Sequence, residues 1–219
     1  MPKAVVLLSG GLDSTVTLAC SVNDGNESIA LSFRYGQRHS RELDSARAVA
    51  DHYGIEHKVI DLDMSSFRSS LIGGHGEVEK DRKDIGKDIP DTYVPARNII
   101  MLSVAAGLCE SMGASSVYIG ANSVDYSGYP DCRKEFFAAF EDMIKAGTKA
   151  GAEGRRIEIR TPILDLSKAD IIRLGKRLDA PLHLTWSCYS GGDEQCGRCD
   201  SCILRSKGFE EAGYKDEVI

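Results

Sequence analysis

An apolar run, Ala4 to Leu8, ends in the string Ser9-Gly10-Gly11-Leu12-Asp13-Ser14, and this junction constrains the fold more than any other segment. A short apolar run stopped by glycines reads as a strand covered on both faces. The paired glycines allow a sharp turn and let backbone approach a ligand closely. Residues Asp13–Ser21 then read as a helix opening straight out of the turn. The first N–H groups of such a helix lack partners and lie at the positive end of its dipole. With the hydroxyls of Ser9 and Ser14 they make a cradle of pyrophosphate size. The plain alternative is an ordinary strand-to-helix turn, which two glycines by themselves equally permit. The chain has neither the G-x-x-x-x-G-K-[ST] loop that grips a γ-phosphate nor the G-x-G-x-x-G of a dinucleotide site.

Behind this junction, short apolar runs alternate with stretches of helical spacing. Strands are expected at 4–8, 29–33, 58–62, 117–120 and 157–160, and helices at 40–53, 98–112, 134–150 and 167–178. Ser167 and Asp170 are spaced as a capping box. This alternation implies βαβ units and a doubly wound, parallel five-stranded α/β sheet. Ligands of such sheets sit beyond the carboxyl ends of the strands. From Asp63 to Tyr93 the pattern dissolves into glycine and charge, as expected of a partly mobile excursion that could serve as a lid.

Seven cysteines occur, and four of them fall in the spacing Cys188-x7-Cys196-x2-Cys199-x2-Cys202. Four thiolates with no nearby histidine suit a closed, tetrahedral structural Zn²⁺ site, with an iron–sulfur cluster as the alternative that spacing allows. Arg198 and Arg205 can offset the charge of a tetrathiolate. Cys20, Cys109 and Cys132 read as ordinary thiols. A cysteine cluster that binds metal rather than forming disulfides fits a reducing cytoplasm. No run approaches a signal-peptide core or a membrane helix, so a cytoplasmic protein without membrane partners is expected. The net charge of −6 over 219 residues provides no domain-wide basic field for a nucleic acid, which favours a small substrate.

The Ser9–Ser14 string resembles the PP-loop of the ATP pyrophosphatases, which share an adenine nucleotide alpha-hydrolase-like fold. That resemblance implies that the loop holds the leaving pyrophosphate of ATP while an acceptor oxygen attacks the α-phosphorus. It places the ATP segment at Leu8, Ser9, Gly10, Gly11, Leu12, Asp13, Ser14, Thr15, Val16, Thr17 and Leu18, with Val16 and Leu18 expected to pack. It sets Asp13 where Mg²⁺ and the phosphates are organised.

Further strings narrow the resemblance. They are Tyr93–Asn98, Gly120-Ala121-Asn122, Asp125–Arg133, Thr161–Lys168, Thr185–Tyr189 and Cys196–Cys202. Together with the loop they resemble the 7-cyano-7-deazaguanine synthases of the queuosine pathway, over essentially the whole chain. The resemblance implies a substrate, 7-carboxy-7-deazaguanine, that is adenylated by ATP, aminated by ammonia to an amide, activated again and released as the nitrile. It also implies a homodimer, and a division into a catalytic domain at 1–180 and a zinc-binding lobe at 181–219. A PP-loop enzyme that modifies tRNA is the rival reading.

Catalytic roles are expected of Ser9, Asp13, Ser14, Arg97 and Lys168. Arg97 can stabilise charge on the α-phosphate or the substrate carboxylate. Asp131 can accept from the N–H groups of a guanine-like edge, and Tyr126 and Tyr129 can stack on a flat base. Asp165 reads equally as a Mg²⁺ ligand or a loop support, and Trp186 as a packing residue.

Overall fold

A computed structural model describes the chain except residues 38–40, 73–77, 83–88, 90, 125–128, 193 and 219. Five parallel strands form one sheet: β1 (Lys3–Leu7), β2 (Glu27–Arg34), β3 (His57–Asp61), β4 (Ser116–Tyr118) and β5 (Glu158–Arg160). Their spatial order is β3-β2-β1-β4-β5. Val5 of β1 lies between Ile29 and Val117, which fixes the register at the centre of the sheet. The order reverses at β1, so a crevice opens between the carboxyl ends of β1 and β4.

The helices are α1 (Leu12–Asn23), α2 (Arg41–Tyr53), α3 (Arg97–Ser111), α4 (Lys134–Gly147), α5 (Lys149–Ala152), α6 (Lys168–Arg177) and α7 (Asp200–Ala212). Strand residues alternate between two cores, as a period of two demands. Val5 and Leu7 pack with Leu102 and Ala106 of α3 and Phe137 and Phe140 of α4. Ala4, Val6 and Leu8 face Leu18 of α1 and Val49 of α2. A third cluster joins Val16 of α1, Ile171 and Ile172 of α6, and Phe209 of α7.

The structure corrects one expectation and adds two features that the sequence did not disclose. The helix expected at 134–150 breaks at Thr148, whose extended backbone (φ −116°, ψ 157°) ends α4 and whose hydroxyl accepts the Gly151 N–H to cap α5. Helix α7 was hidden by its cysteines, which read as metal ligands and not as a helical face. Within the 63–93 excursion the described residues Met64, Leu71, Ile72 and Val78 are buried in the main core. Its Asp81 accepts hydrogen bonds from the Arg198 guanidinium, and its Arg82 pairs with Asp200 at 2.9 Å. Asp81 and Arg82 are therefore tied to the cysteine motif.

Candidate active site and metal centre

The phosphate cradle is built from backbone, and its shape depends on two glycines. Gly10 adopts φ +88° with α2 pressed against it; a Cβ there would lie 2.1 Å from the Glu42 carbonyl and 2.6 Å from the Ala46 nitrogen. Gly120, just past β4, abuts the loop from the other side: its Cβ would meet Asp13 and Ser14 backbone at 3.0 Å. No side chain caps α1, whose N-cap residue is Gly11, so the helix start keeps its donors for a ligand. The Ser14 hydroxyl donates to the Gly11 carbonyl (3.0 Å) and accepts from the Ser9 N–H (3.2 Å), while the Ser9 and Ser14 hydroxyls lie 3.0 Å apart. These bonds hold the turn open before any anion arrives.

One cavity runs from this cradle along the strand ends. Leu8, Ser9, Gly11, Leu12, Asp13 and Ser14 line it. Thr15, Val16, Thr17 and Leu18 are buried behind it. Gly10 gives its carbonyl to the Trp186 N–H at 2.9 Å, which ties the loop to the C-terminal segment. Lys168, at the start of α6, lies in the cavity wall and donates to both Asp13 carboxylate oxygens at 2.7 and 2.8 Å. Its side chain is only 10% exposed, so it is a built part of the site and not a solvated surface lysine.

Arg97, the first residue of α3, lines the same cavity. Ala96, in the left-handed region at φ 56°, turns the chain so that α3 starts here. Burial works against the Arg97 charge, but Tyr35, Tyr129 and Tyr189 surround the guanidinium and Tyr35 hydrogen-bonds it, so its pKa is raised. Tyr129 lines the cavity, shares a 3.0 Å hydrogen bond with Thr92 and packs 5.6 Å from the Tyr93 ring.

Asp131 sits elsewhere. It is buried behind the wall, where its carboxylate accepts the Asn98 N–H at 3.2 Å while the Asn98 side chain donates to the Asp131 carbonyl at 3.1 Å. It thus supplies the missing cap of α3 from a neighbouring element and positions Asn98, which does line the cavity. Tyr126 lies outside the described residues. Asp165 pairs with Lys134 on the surface, at 2.8 Å. Trp186 is buried, as a packing residue should be, with the Arg41 guanidinium 4.6 Å from its ring.

Sequence reasoning missed Glu42, Tyr35 and Asn98, all of which line the cavity. It assigned Arg205 to the cysteines, but the structure turns this residue toward the cavity. Arg205 is buried and pairs with Asp216 at 2.6 Å, the Thr185 hydroxyl at 2.8 Å and the Ser187 hydroxyl at 3.2 Å. Arg198 is exposed and bound to Asp81. Only their contacts in three dimensions separate these two arginines. Glu42 gave no signal because a glutamate in the first turn of a helix is ordinarily a solvated residue.

Cys188, Cys196, Cys199 and Cys202 present sulfurs that all lie within 4.8 Å of one another. Tetrahedral coordination at about 2.3 Å sets sulfurs about 3.8 Å apart, so the group has the size of a metal site. Backbone N–H groups point at the sulfurs: Cys196 N–H at Cys188 Sγ (3.3 Å), and Cys199 N–H at Cys196 Sγ (3.3 Å). Hydrogen bonds from the Cys199 and Cys202 thiols hold the Cys188 pKa down, which favours the thiolate a metal needs. The other cysteines behave as buried thiols: burial pushes Cys20 up to about 11 and Cys109 and Cys132 to about 12. No helix among the described residues is long and apolar enough to cross a membrane.

The parallel sheet, its switch-point crevice and the glycine cradle define an α/β protein of PP-loop type. The fold matches NMN synthetase from Francisella tularensis with a TM-score of 0.52 at 17% identity, over 98% of this chain and 78% of that one. It matches a predicted subunit of a tRNA methyltransferase from Methanocaldococcus jannaschii with a TM-score of 0.51 at 19% identity, over 99% and 91%. These likenesses concern the fold alone. The family is narrower: the chain belongs to the queuosine biosynthesis protein QueC family, whose model matches residues 3–213. It is 52% identical to the 7-cyano-7-deazaguanine synthase of Thermoplasma volcanium, over 100% of this chain and 91% of that protein. It is 54% identical to the 7-cyano-7-deazaguanine synthase of Solidesulfovibrio magneticus, over 98% and 94%.

Proposed function

We propose that the chain is an AMP-forming carbon–nitrogen ligase that converts 7-carboxy-7-deazaguanine and ammonia into 7-cyano-7-deazaguanine, using two molecules of ATP. The observation that supports this most is one cavity whose wall contains both the phosphate cradle, through Ser9, Gly11, Leu12, Asp13 and Ser14, and the Arg97 cation. The cradle amides and the Ser9 and Ser14 hydroxyls hold the outer phosphates of ATP. Lys168 adds positive charge at the cradle, and Arg97 orients the substrate carboxylate so that its oxygen attacks the α-phosphorus. Preorganised donors and cations of this kind stabilise charge as it develops. The acyl adenylate then loses AMP to ammonia. The resulting amide oxygen returns to the same cradle for a second activation, and loss of the second AMP leaves the nitrile.

Asp13 offers the hard oxygen donors that suit Mg²⁺, which would offset phosphate charge beside the cradle. The four thiolates suit Zn²⁺, held by Cys188, Cys196, Cys199 and Cys202 in a structural role, since four protein ligands leave no open position. Residues 1–180 form the catalytic domain in this reading and 181–219 a metal-binding lobe packed on it. Tyr129, which lines the cavity, stacks on the deazaguanine in this reading. A cytoplasmic homodimer acting on small molecules without nucleic acid completes the reading.

The test is an assay with ATP, Mg²⁺, ammonium and 7-carboxy-7-deazaguanine, without RNA. Two AMP and two pyrophosphate per nitrile are expected, and Ser14→Ala should lower turnover about a hundredfold. Formation of ADP and phosphate in place of AMP and pyrophosphate would refute the mechanism.

A further inference from the structure

Ammonia in neutral water is almost wholly ammonium, which has no lone pair with which to attack an acyl carbon. A ligase that draws on free ammonia therefore needs a place to hold the cation and a group to take its proton. Among the described residues two carboxylates line the cavity, Asp13 and Glu42. Asp13 is engaged by Lys168 through both oxygens. The Glu42 carboxylate receives no hydrogen bond or ion pair from the described residues, and the Arg97 charge acts on it through space.

Its position follows from the packing of α2. The Glu42 backbone is wedged against Gly10, where a Cβ would come within 2.1 Å of its carbonyl oxygen. The side chain thus projects into the cavity from immediately behind the phosphate loop, on the side where Tyr35 and Arg97 stand. This is the end at which Arg97 orients the carboxylate to be activated.

We propose that Glu42 is the ammonium-receiving group: its carboxylate binds the cation and takes one proton, delivering ammonia to the acyl adenylate. This rests on the adenylation reading above. The nitrogen lone pair adds to the acyl carbon. As the bond from that carbon to the AMP oxygen breaks, the oxygen keeps the electron pair and the nitrogen loses a second proton to water. Ammonium and acyl adenylate thus become amide, AMP and two protons, one of them carried out by Glu42. The surroundings suit a proton acceptor. Burial pushes the Glu42 pKa up to about 7, with Arg97 opposing and Cys188 adding to the rise. A base is most effective when its pKa lies near the working pH.

Glu42→Gln separates this role from a structural one, with Glu42→Asp as the conservative control. Without ammonium, the carboxylate substrate should drive exchange of pyrophosphate into ATP. The Gln variant should keep this exchange within about twofold, and keep KM for ATP, because neither needs the nitrogen donor. Its kcat/KM for ammonium should fall about a hundredfold, within the range of general acid–base effects, and the Asp variant should recover part of that loss. Exchange that falls in step with overall turnover, or a rise in KM for ATP in place of ammonium, would overturn the assignment. Wild-type protein with no exchange at all would overturn the adenylation reading itself, and this inference with it.

Discussion

The phosphate cradle and the cysteine cluster are both anchored near Trp186 and Cys188, yet they are held together in opposite ways. The cradle is made of backbone. Its geometry comes from Gly10 squeezed against α2 and Gly120 squeezed against the loop, inside a sheet that would fold without a ligand. The cysteine cluster is made of side chains from one short segment. Its sulfurs gather within 4.8 Å, close enough to hold a metal ion, and such an ion would relieve their mutual repulsion as thiolates. One site is preformed by packing; the other would be completed by a bound metal ion.

This difference predicts which perturbation acts where, and metal removal should have the largest effect. Stripping the ion, or changing Cys199 to Ser, should cost about 5 kcal/mol or more, since structural metal binding is itself folding free energy. Calorimetry should show loss of the C-terminal part of the transition, and protease should cut between residues 188 and 205. A metal-stripped protein with an unchanged melting profile would mean that packing alone holds this segment, as it holds the cradle. Gly10→Ala should come next. It places a Cβ 2.1 Å from backbone, at φ +88°, where alanine is already strained. About 3 kcal/mol of destabilisation is expected by denaturant titration, with loss of turnover. Added metal should not rescue it.

Helix α7 connects the two regions. Cys199 is its N-cap residue; the helix carries Cys202, then turns Arg205 toward the cavity and Gly208 toward Lys168. A Cβ at Gly208 would lie 2.4 Å from Lys168 Cγ and 3.0 Å from Ile172 Cδ1. A metal held at the start of α7 would therefore also fix the wall that holds Lys168 against Asp13. Gly208→Ala should sharpen this point. Alanine gains about 1 kcal/mol in a helix interior, which offsets part of the clash, so the melting temperature should move little. Turnover should fall about tenfold to a hundredfold, because Lys168 is pushed off Asp13, and small shifts in a site are costly. Equal losses of stability and turnover would mean that Gly208 serves packing only.

The cradle and the cysteines were both legible in the chain, because each is a local pattern. Backbone freedom at Gly10-Gly11 and thiolate spacing at 188–202 need no tertiary information. The remainder of the site was not local. Lys168 meets Asp13 across 155 positions of sequence, and Glu42 reaches the cavity only because α2 packs on Gly10. Asp131 looked like a base-reading carboxylate in a loop, but the fold spends it on capping α3 through Asn98. A carboxylate type tells what a residue can bind; its neighbours decide what it does bind.

The smallest effect concerns Glu42, and it tests how far the two regions sense each other. Burial raises its pKa from 4.5 to about 7. Between those pH values the folded state holds a proton that the unfolded chain has released, so stability falls as pH rises through this window and stays lower above it. Glu42→Gln removes the penalty. The variant should match wild type near pH 4.5 and melt higher from pH 7 upward. A shift of one pKa unit corresponds to about 1.4 kcal/mol, and water in the cavity reduces the full shift to an expected gain of about 1–2 kcal/mol. Part of the rise comes from charge on Cys188. Four thiolates around one divalent ion keep a net negative charge, so the gap between variant and wild type should persist in metal-loaded protein. A gap that does not depend on pH would show that glutamine stabilises by packing, and that the cysteine cluster and the cavity are electrically separate.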